Sequence, residues 1–440
     1  MICPIINNKG DTMANILLFD PLDEFLIGKK EFSPLGVLYI SSWLKQHDHT
    51  VKIIHGYAED IPPGYDYYGI SATTPQYPAA KEALEHIKKI EPKSVTILGG
   101  PHTNAKKCVE EALADGINHI VIGEGEQATL DIIEKRRIEP VIHGEPLKNI
   151  DNFFPDRDAI DFLNYGYPLD NGVRAATIMT ARGCPYRCQF CSSAEGTPRW
   201  RSIENVEKEV DLLINHYGYK ALLFIDDVFT LKPTRLKQML NMIKKYNIYW
   251  RCYARTTLKY EELVEMRQAG CVEVGAGVES GSQFILDLVM KLTKTEQNKQ
   301  FIHDCKRAGV LANTFVMIGL PGESPKTIKE TREWMEEAKP ERFGYNIFTP
   351  YPDSPIVVNQ ERFKDYITVH SMPYGKALTK AKQITECFVS TPSLNREEII
   401  STYHENFEHF VSITGFDPRR RGFRAIEYMS GPIKDRTMRC

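Results

Sequence analysis

Ala181-Arg182-Gly183-Cys184-Pro185-Tyr186-Arg187-Cys188-Gln189-Phe190-Cys191 sets three cysteines at a C-x3-C-x2-C spacing, directly after a short apolar strand from Ala175 to Met179. Three thiolates on one tight loop can grip one face of an iron–sulfur cluster. A [4Fe–4S] cluster takes four ligands, so this triad leaves one iron open. Gly183 and Pro185 suit a loop that must wrap closely around a bulky inorganic body. The competing readings are a zinc site and three buried core cysteines. Zinc usually recruits two separated ligand pairs, and the chain has no second C-x2-C pair.

Downstream of the triad, strands and helices alternate. Strands are expected at Ala175–Thr180, Ala221–Asp226, Tyr249–Arg255, Val272–Val278, Thr314–Ile318 and Phe343–Phe348. Helices lie between them, among them Val206–His216, Arg235–Tyr246, Tyr260–Ala269, Thr295–Ala308 and Thr327–Glu337. Upstream, residues 14–145 repeat the same alternation, with strands at Ile16–Asp20, Val51–Ile54, Tyr67–Ser71, Val95–Gly99 and His119–Gly123. Buried apolar strands alternating with helices predict an α/β chain with an open, mostly parallel, doubly wound (Rossmann-like) sheet at its N-terminus. Ligands of such sheets bind beyond the carboxyl ends of the strands. There the sequence places small-residue turns: Ser71-Ala72-Thr73-Thr74, Gly99-Gly100-Pro101-His102-Thr103 and Gly123-Glu124-Gly125-Glu126. Glu124 and Glu126 could equally cap the following helix, where carboxylates suit the N-terminal dipole.

The cysteine loop resembles the signature of the radical S-adenosylmethionine (SAM) superfamily. The resemblance implies a [4Fe–4S] cluster on Cys184, Cys188 and Cys191. SAM would chelate the open iron, and its cleavage would release a 5′-deoxyadenosyl radical. It implies a partial (β/α)6 barrel over residues 173–370, with chemistry at the carboxyl ends of the strands. It places Phe190 near the adenine, Asp226 of the Asp226-Asp227 pair near the SAM ammonium, and Arg255 at the SAM carboxylate. Glu279 and Ser280, within Gly277-Val278-Glu279-Ser280-Gly281, fall at the ribose. Each has a plainer reading: an N-cap aspartate, a surface ion pair, a structural carboxylate. Glu323, after Met317-Ile318-Gly319-Leu320-Pro321-Gly322, is expected to cap the next helix.

The order Pro34-Leu35-Gly36, Gly99-Gly100-Pro101-His102, Gly123-Glu124-Gly125-Glu126 resembles the cobalamin-binding domain fused to one large class of radical SAM enzymes. The resemblance implies cobalamin contacts at Gly99, Gly100, His102, Gly123 and Glu124. The Asp-x-His-x-x-Gly loop of histidine-ligated cobalamin proteins is missing from this domain, so a hydrogen-bonding His102 is expected rather than a metal ligand. The whole resembles a cobalamin-dependent methyltransferase acting on an unactivated carbon of a small molecule or peptide, served by an electron donor such as flavodoxin or ferredoxin. A cyclase or rearrangement enzyme of the same family, and a non-catalytic iron–sulfur sensor or scaffold, are the alternatives. A docking-only N-terminal domain is the plain alternative to cobalamin.

The rest of the chain bounds this reading. With 440 residues it holds two or three domains, and a net charge of −3 gives no electrostatic case for nucleic acid or an anionic membrane. No apolar run approaches a membrane span and no signal pattern opens the chain, which predicts a cytoplasmic protein. Cys3, Cys108, Cys252, Cys271, Cys305, Cys387 and Cys440 lack paired spacing and read as reduced structural thiols. Residues 1–13 read as a disordered leader with Met13 as a possible start, and residues 146–172 as a linker. Residues 371–440, with a helix at Glu397–Val411 and the basic residues Arg419-Arg420-Arg421 and Arg424, read as a small helical region over the barrel mouth.

Overall fold

The computed structural model describes residues 13–22, 28–371 and 386–420. Residues 1–12 of the expected leader, Arg421 and Arg424 lie outside them. The N-terminal sheet has six strands: β1 (Asn15–Pro21), β2 (Thr50–Gly56), β3 (Tyr67–Ser71), β4 (Val95–Gly99), β5 (His119–Gly123) and β6 (Val141–Gly144). Their order is β2-β1-β3-β4-β5-β6 and every pairing is parallel. Helices α1 (Leu35–Lys45) and α4 (Gly125–Ile133) pack on one face, through Leu38, Leu44, Leu130 and Ile133. Helices α2 (Tyr77–Ile90) and α3 (Lys106–Ala114) pack on the other, through Ala83, Ile87 and Val109. Two apolar layers on one sheet explain why its strands read as continuous hydrophobic runs. Strand β6 and helix α3 escape the sequence reading because each is short, four and nine residues.

The second sheet has seven strands in the order β15-β14-β13-β12-β11-β8-β7. After β7 (Tyr167–Pro168) come β8 (Arg174–Ile178), β9 (Ala181–Arg182) and β10 (Arg199–Trp200). The series continues with α5 (Ile203–Asp211), β11 (Ala221–Phe224), α6 (Pro233–Ile243), β12 (Tyr249–Ala254), α7 (Tyr260–Gln268) and β13 (Cys271–Glu279). Then follow α8 (Gln283–Leu288), α9 (Thr295–Ala308), β14 (Leu311–Ile318), α10 (Pro325–Ala338) and β15 (Arg342–Ile347). Strands β8 and β11 to β15 are all parallel and lie side by side in chain order, the arrangement of an open, partial barrel. Short β7 pairs antiparallel on the β8 edge, and β9 and β10 form a separate two-residue ladder that brackets the triad loop. Alternation decides what each strand buries. In β12, Trp250, Cys252 and Ala254 join the core under the helices, whereas Tyr249 and Tyr253 belong to the cluster on the opposite face.

The chain ends with α11 (Pro355–Val358), α12 (Gln360–Phe363), β16 (Thr368–Val369), β17 (Val389–Ser390) and α13 (Arg396–Thr414). Helix α13 packs at the β15 edge, while Phe388 of the same C-terminal region reaches the barrel mouth. The apolar stripe of α13 is drawn to the helix layer, where Phe407 and Phe410 pack on Phe343 and Tyr403 stacks on Tyr345 at 5.2 Å, closing the β15 edge. The eight described cysteines are free thiols, and Cys108, Cys252, Cys271, Cys305 and Cys387 are buried. Among the described residues no helix is long and apolar enough to cross a membrane.

Candidate active site

Because the barrel strands are parallel, their carboxyl ends share one mouth, and the triad loop rises from the first of them. Gly183 has φ +90°, and a Cβ there would stand 2.6 Å from the Thr197 carbonyl; one on Gly196 would stand 3.2 Å from Cys184 N. The loop therefore closes on itself through two glycines. Each sulfur faces a nitrogen donor: the Tyr186 N–H for Cys184, the Ser193 N–H for Cys191, and Arg255 Nη1, at 3.8 Å, for Cys188. Burial raises the Cys184 thiol and pushes Cys191 up to about 11. The bare loop therefore holds protons that bonding to iron would displace. Among the described residues no three His, Cys, Asp or Glu side chains converge on a single metal ion. Three cysteines on a cluster each take a different iron, so they need no common centre. One buried and two half-buried thiols, with a donor aimed at each sulfur, fit such a cluster.

Arg255 continues from the end of β12 and is buried, its guanidinium 3.8 Å from the centre of the Tyr186 ring and donating to the Lys291 carbonyl. Glu279 ends β13 at a register shift, with φ +69°. Its carboxylate accepts from Lys291 Nζ at 2.5 Å. Glu279 and Phe190 both line a cavity at the barrel mouth, and Arg255 does not.

Three barrel residues sit otherwise than expected. The Asp226 carboxylate turns inward and accepts the Thr180 and Ala181 N–H groups, at 2.5 and 3.1 Å, and the Thr180 hydroxyl. It braces the base of the triad loop, and its burial pushes it up to about 6. Its neighbour Asp227, hydrogen-bonded to the Ser193 side chain, is the carboxylate beside the triad. Ser280 is buried against Thr331 Oγ1 at 3.1 Å and accepts the Ser282 N–H, so it ties β13 to α10 rather than facing a ligand. Glu323 is not the helix cap either. Ser324 caps α10, while buried Glu323 accepts from Gly319 N and the Thr327 hydroxyl.

From the N-terminal sheet, the turns after β3 and β4 reach the barrel mouth. Thr73, Thr74, Pro75 and Pro101 line a cavity of about 720 Å3 together with Phe190, Cys191, Ser192 and Ser193 of the triad loop. Glu279, Phe315, Met317 and Asn346 close it from the barrel, and Phe388 from the C-terminal segment. Gly99 pairs with Ser71 at the strand ends. Gly100 has φ +96°, and a Cβ there would meet the Ala72 carbonyl at 2.7 Å, so the turn requires glycine. His102 lies beneath the turn, fully buried, stacked on Tyr77 at 4.0 Å, with its pKa lowered to about 4 by burial. It stays neutral and supports the turn from below.

Glu124 is a further correction. Its carboxylate neither caps α4 nor lines the cavity. It accepts from Arg199, from Arg182 at 3.2 Å and from the Leu147 N–H at 3.0 Å, because the two arginines of the β9–β10 ladder stand directly across from it. Gly123, φ +89°, passes close to the Gly144 carbonyl at the same edge, away from the cavity. Sequence reasoning missed Lys291, which lies in an unpatterned loop, and the arginines that meet Glu124 and Glu126.

Residues 178–335 match the model of the Radical SAM superfamily, and residues 28–133 that of the B12 binding domain. The chain is 29% identical over 354 residues to an uncharacterized methyltransferase of Pyrococcus horikoshii, covering 72% of this chain and 76% of that protein. It is 26% identical over 443 residues to the anaerobic magnesium-protoporphyrin IX monomethyl ester cyclase of Rubrivivax gelatinosus, covering 91% of this chain and 78% of that one. Among solved structures it resembles the radical SAM methyltransferase TsrM of Kitasatospora setae with cobalamin and a [4Fe–4S] cluster bound, at a TM-score of 0.65 and 15% identity, covering 93% and 92% of the two chains.

Proposed function

From a chain that belongs to the radical SAM enzymes with an N-terminal cobalamin-binding domain, we propose a cobalamin-dependent methyltransferase acting on an unactivated carbon of a small molecule or peptide. The observation that carries this reading is the shared cavity: one wall comes from the β3 and β4 turns, the other from the triad loop and the barrel mouth. Bound there, the cluster would supply the electron for SAM cleavage and cobalamin the methyl group.

The chain's own part is to bind, orient and exclude water. Cys184, Cys188 and Cys191 would hold the cluster, and Arg255 sets a positive charge beside Cys188. Glu279 offers a carboxylate to a ribose diol, and Phe190 an apolar ring to an adenine. Thr73, Thr74, Pro75 and Pro101 would face cobalamin, with Gly100 permitting the close approach. Phe315, Met317 and Phe388 supply an apolar surface that would keep water from a carbon radical. A cytoplasmic enzyme of this kind would draw its electrons from a flavodoxin or ferredoxin.

The similarity to a cyclase over 91% of the chain favours a second reading, ring formation without methyl transfer. Product analysis separates the two. Methyl transfer yields S-adenosylhomocysteine along with 5′-deoxyadenosine. A cyclase yields 5′-deoxyadenosine alone, and that result would end the methyltransferase reading.

A further inference from the structure

Lys291 is buried at 7% exposure in a loop between α8 and α9, flanked by two non-glycine residues with left-handed backbones, Met290 (φ +53°) and Leu292 (φ +57°). Such a conformation costs roughly 1 kcal/mol or more per residue and persists only where the surroundings impose it. Here it leaves the apolar Leu292 64% exposed and turns the charged Lys291 inward. The inward ammonium meets Glu279 Oε1 at 2.5 Å and lies 5.8 Å from the centre of the Phe190 ring. Glu279 is itself left-handed, and a Cβ on Gly277 would collide with both the Glu279 carboxylate and Lys291 Nζ. The backbone carbonyl of the same lysine accepts from Arg255, the residue beside Cys188. Lys291 does not line the cavity; Glu279 does.

We propose that Lys291 is a positioning residue for the nucleoside end of SAM: from behind the cavity wall it fixes the Glu279 carboxylate in place as the acceptor for a ribose diol. This rests on reading the cavity as the SAM site. A buried carboxylate deprived of its counter-charge takes up a proton or swings away, and either change removes a two-acceptor site. Because Lys291 acts only through Glu279, its side chain is worth nothing to SAM once Glu279 is replaced by a residue without a carboxylate.

Equilibrium dialysis of labelled SAM against the anaerobically reconstituted full chain tests this, with iron and sulfide content measured on every variant. Lys291→Met is expected to keep the iron of the parent and weaken SAM binding about tenfold or more. Lys291→Arg, which retains the charge, is expected to bind SAM more tightly than Lys291→Met. The double variant with Glu279→Gln binds no more weakly than Glu279→Gln alone. Parent-like SAM affinity in Lys291→Met, or a double variant showing the full product of the two single losses, would overturn the proposal. Should Lys291→Met lose its iron, Lys291→Gln provides the same comparison with a polar side chain. A parent chain that carries its iron and retains no SAM defeats the SAM-site reading itself, an outcome distinct from a Lys291 variant that binds as the parent does.

Discussion

Arg182, at the entrance of the triad loop, is held by Glu126 of the N-terminal domain at 2.7 Å, with its guanidinium 5.0 Å from the centre of the Tyr39 ring. Glu124 reaches the same arginine and its neighbour Arg199. The loop expected to carry the cluster is thus clamped to the domain expected to carry cobalamin. Side-chain exposures of 15% for Arg182 and 5% for Glu126 place the pair well out of bulk water, where loss of one partner strands the other.

Arg182→Met is therefore expected to lower stability by roughly 2–4 kcal/mol and to expose the segment between β6 and β7 to proteolysis. Denaturant unfolding and limited proteolysis, run side by side, check both; a variant as resistant as the parent would show that the clamp is ornamental.

Glu323 gives the stability a pH dependence. Burial pushes its carboxyl up to about 7, against about 4.3 unfolded. The folded state then binds more protons than the unfolded state between these values, so stability falls as pH rises through that window and stays reduced above it. Glu323→Gln removes this slope. Relative to the parent, the variant should gain up to about 3 kcal/mol between pH 5 and pH 8. Denaturant titrations at the two pH values measure the difference, and parallel pH profiles for parent and variant would refute it.

Arg255 sets a donor against Cys188. Hydrogen bonds to cluster sulfurs raise the reduction potential. Arg255→Gln is expected to shift the potential to more negative values, with iron content unchanged, as followed by an EPR-monitored redox titration. A potential that does not move would separate Arg255 from the cluster.

Gly100→Ala forces a side chain into the Ala72 carbonyl at a left-handed position. The turn must shift, at a cost on the order of 1–3 kcal/mol. Cobalamin retention should fall while the iron content of the barrel remains. Cobalt and iron measured on the same sample check this, and retention equal to the parent's would remove the β4 turn from the cobalamin site.

The sequence was most legible where chemistry or periodicity is local. The spacing of Cys184, Cys188 and Cys191 lies within one loop, and a buried strand such as β11 is a continuous apolar run. It was least legible where function depends on which way a side chain turns. Asp226 and Asp227 are adjacent and chemically alike; only the Thr180 and Ala181 N–H groups decide that the first turns inward. Glu124 looked like a helix cap because its partners, Arg182 and Arg199, lie far along the chain in a ladder of two-residue strands. Lys291 carried no signal because its place is set by the left-handed residues around it, which are neither glycine nor asparagine.

Metal content tests the central claim most directly. The full chain, purified anaerobically with cobalamin supplied and its cluster reconstituted, should carry about one cobalt beside about four irons, with a corrinoid visible spectrum. A complete cluster with no cobalt would leave SAM cleavage standing and contradict cobalamin-dependent methyl transfer.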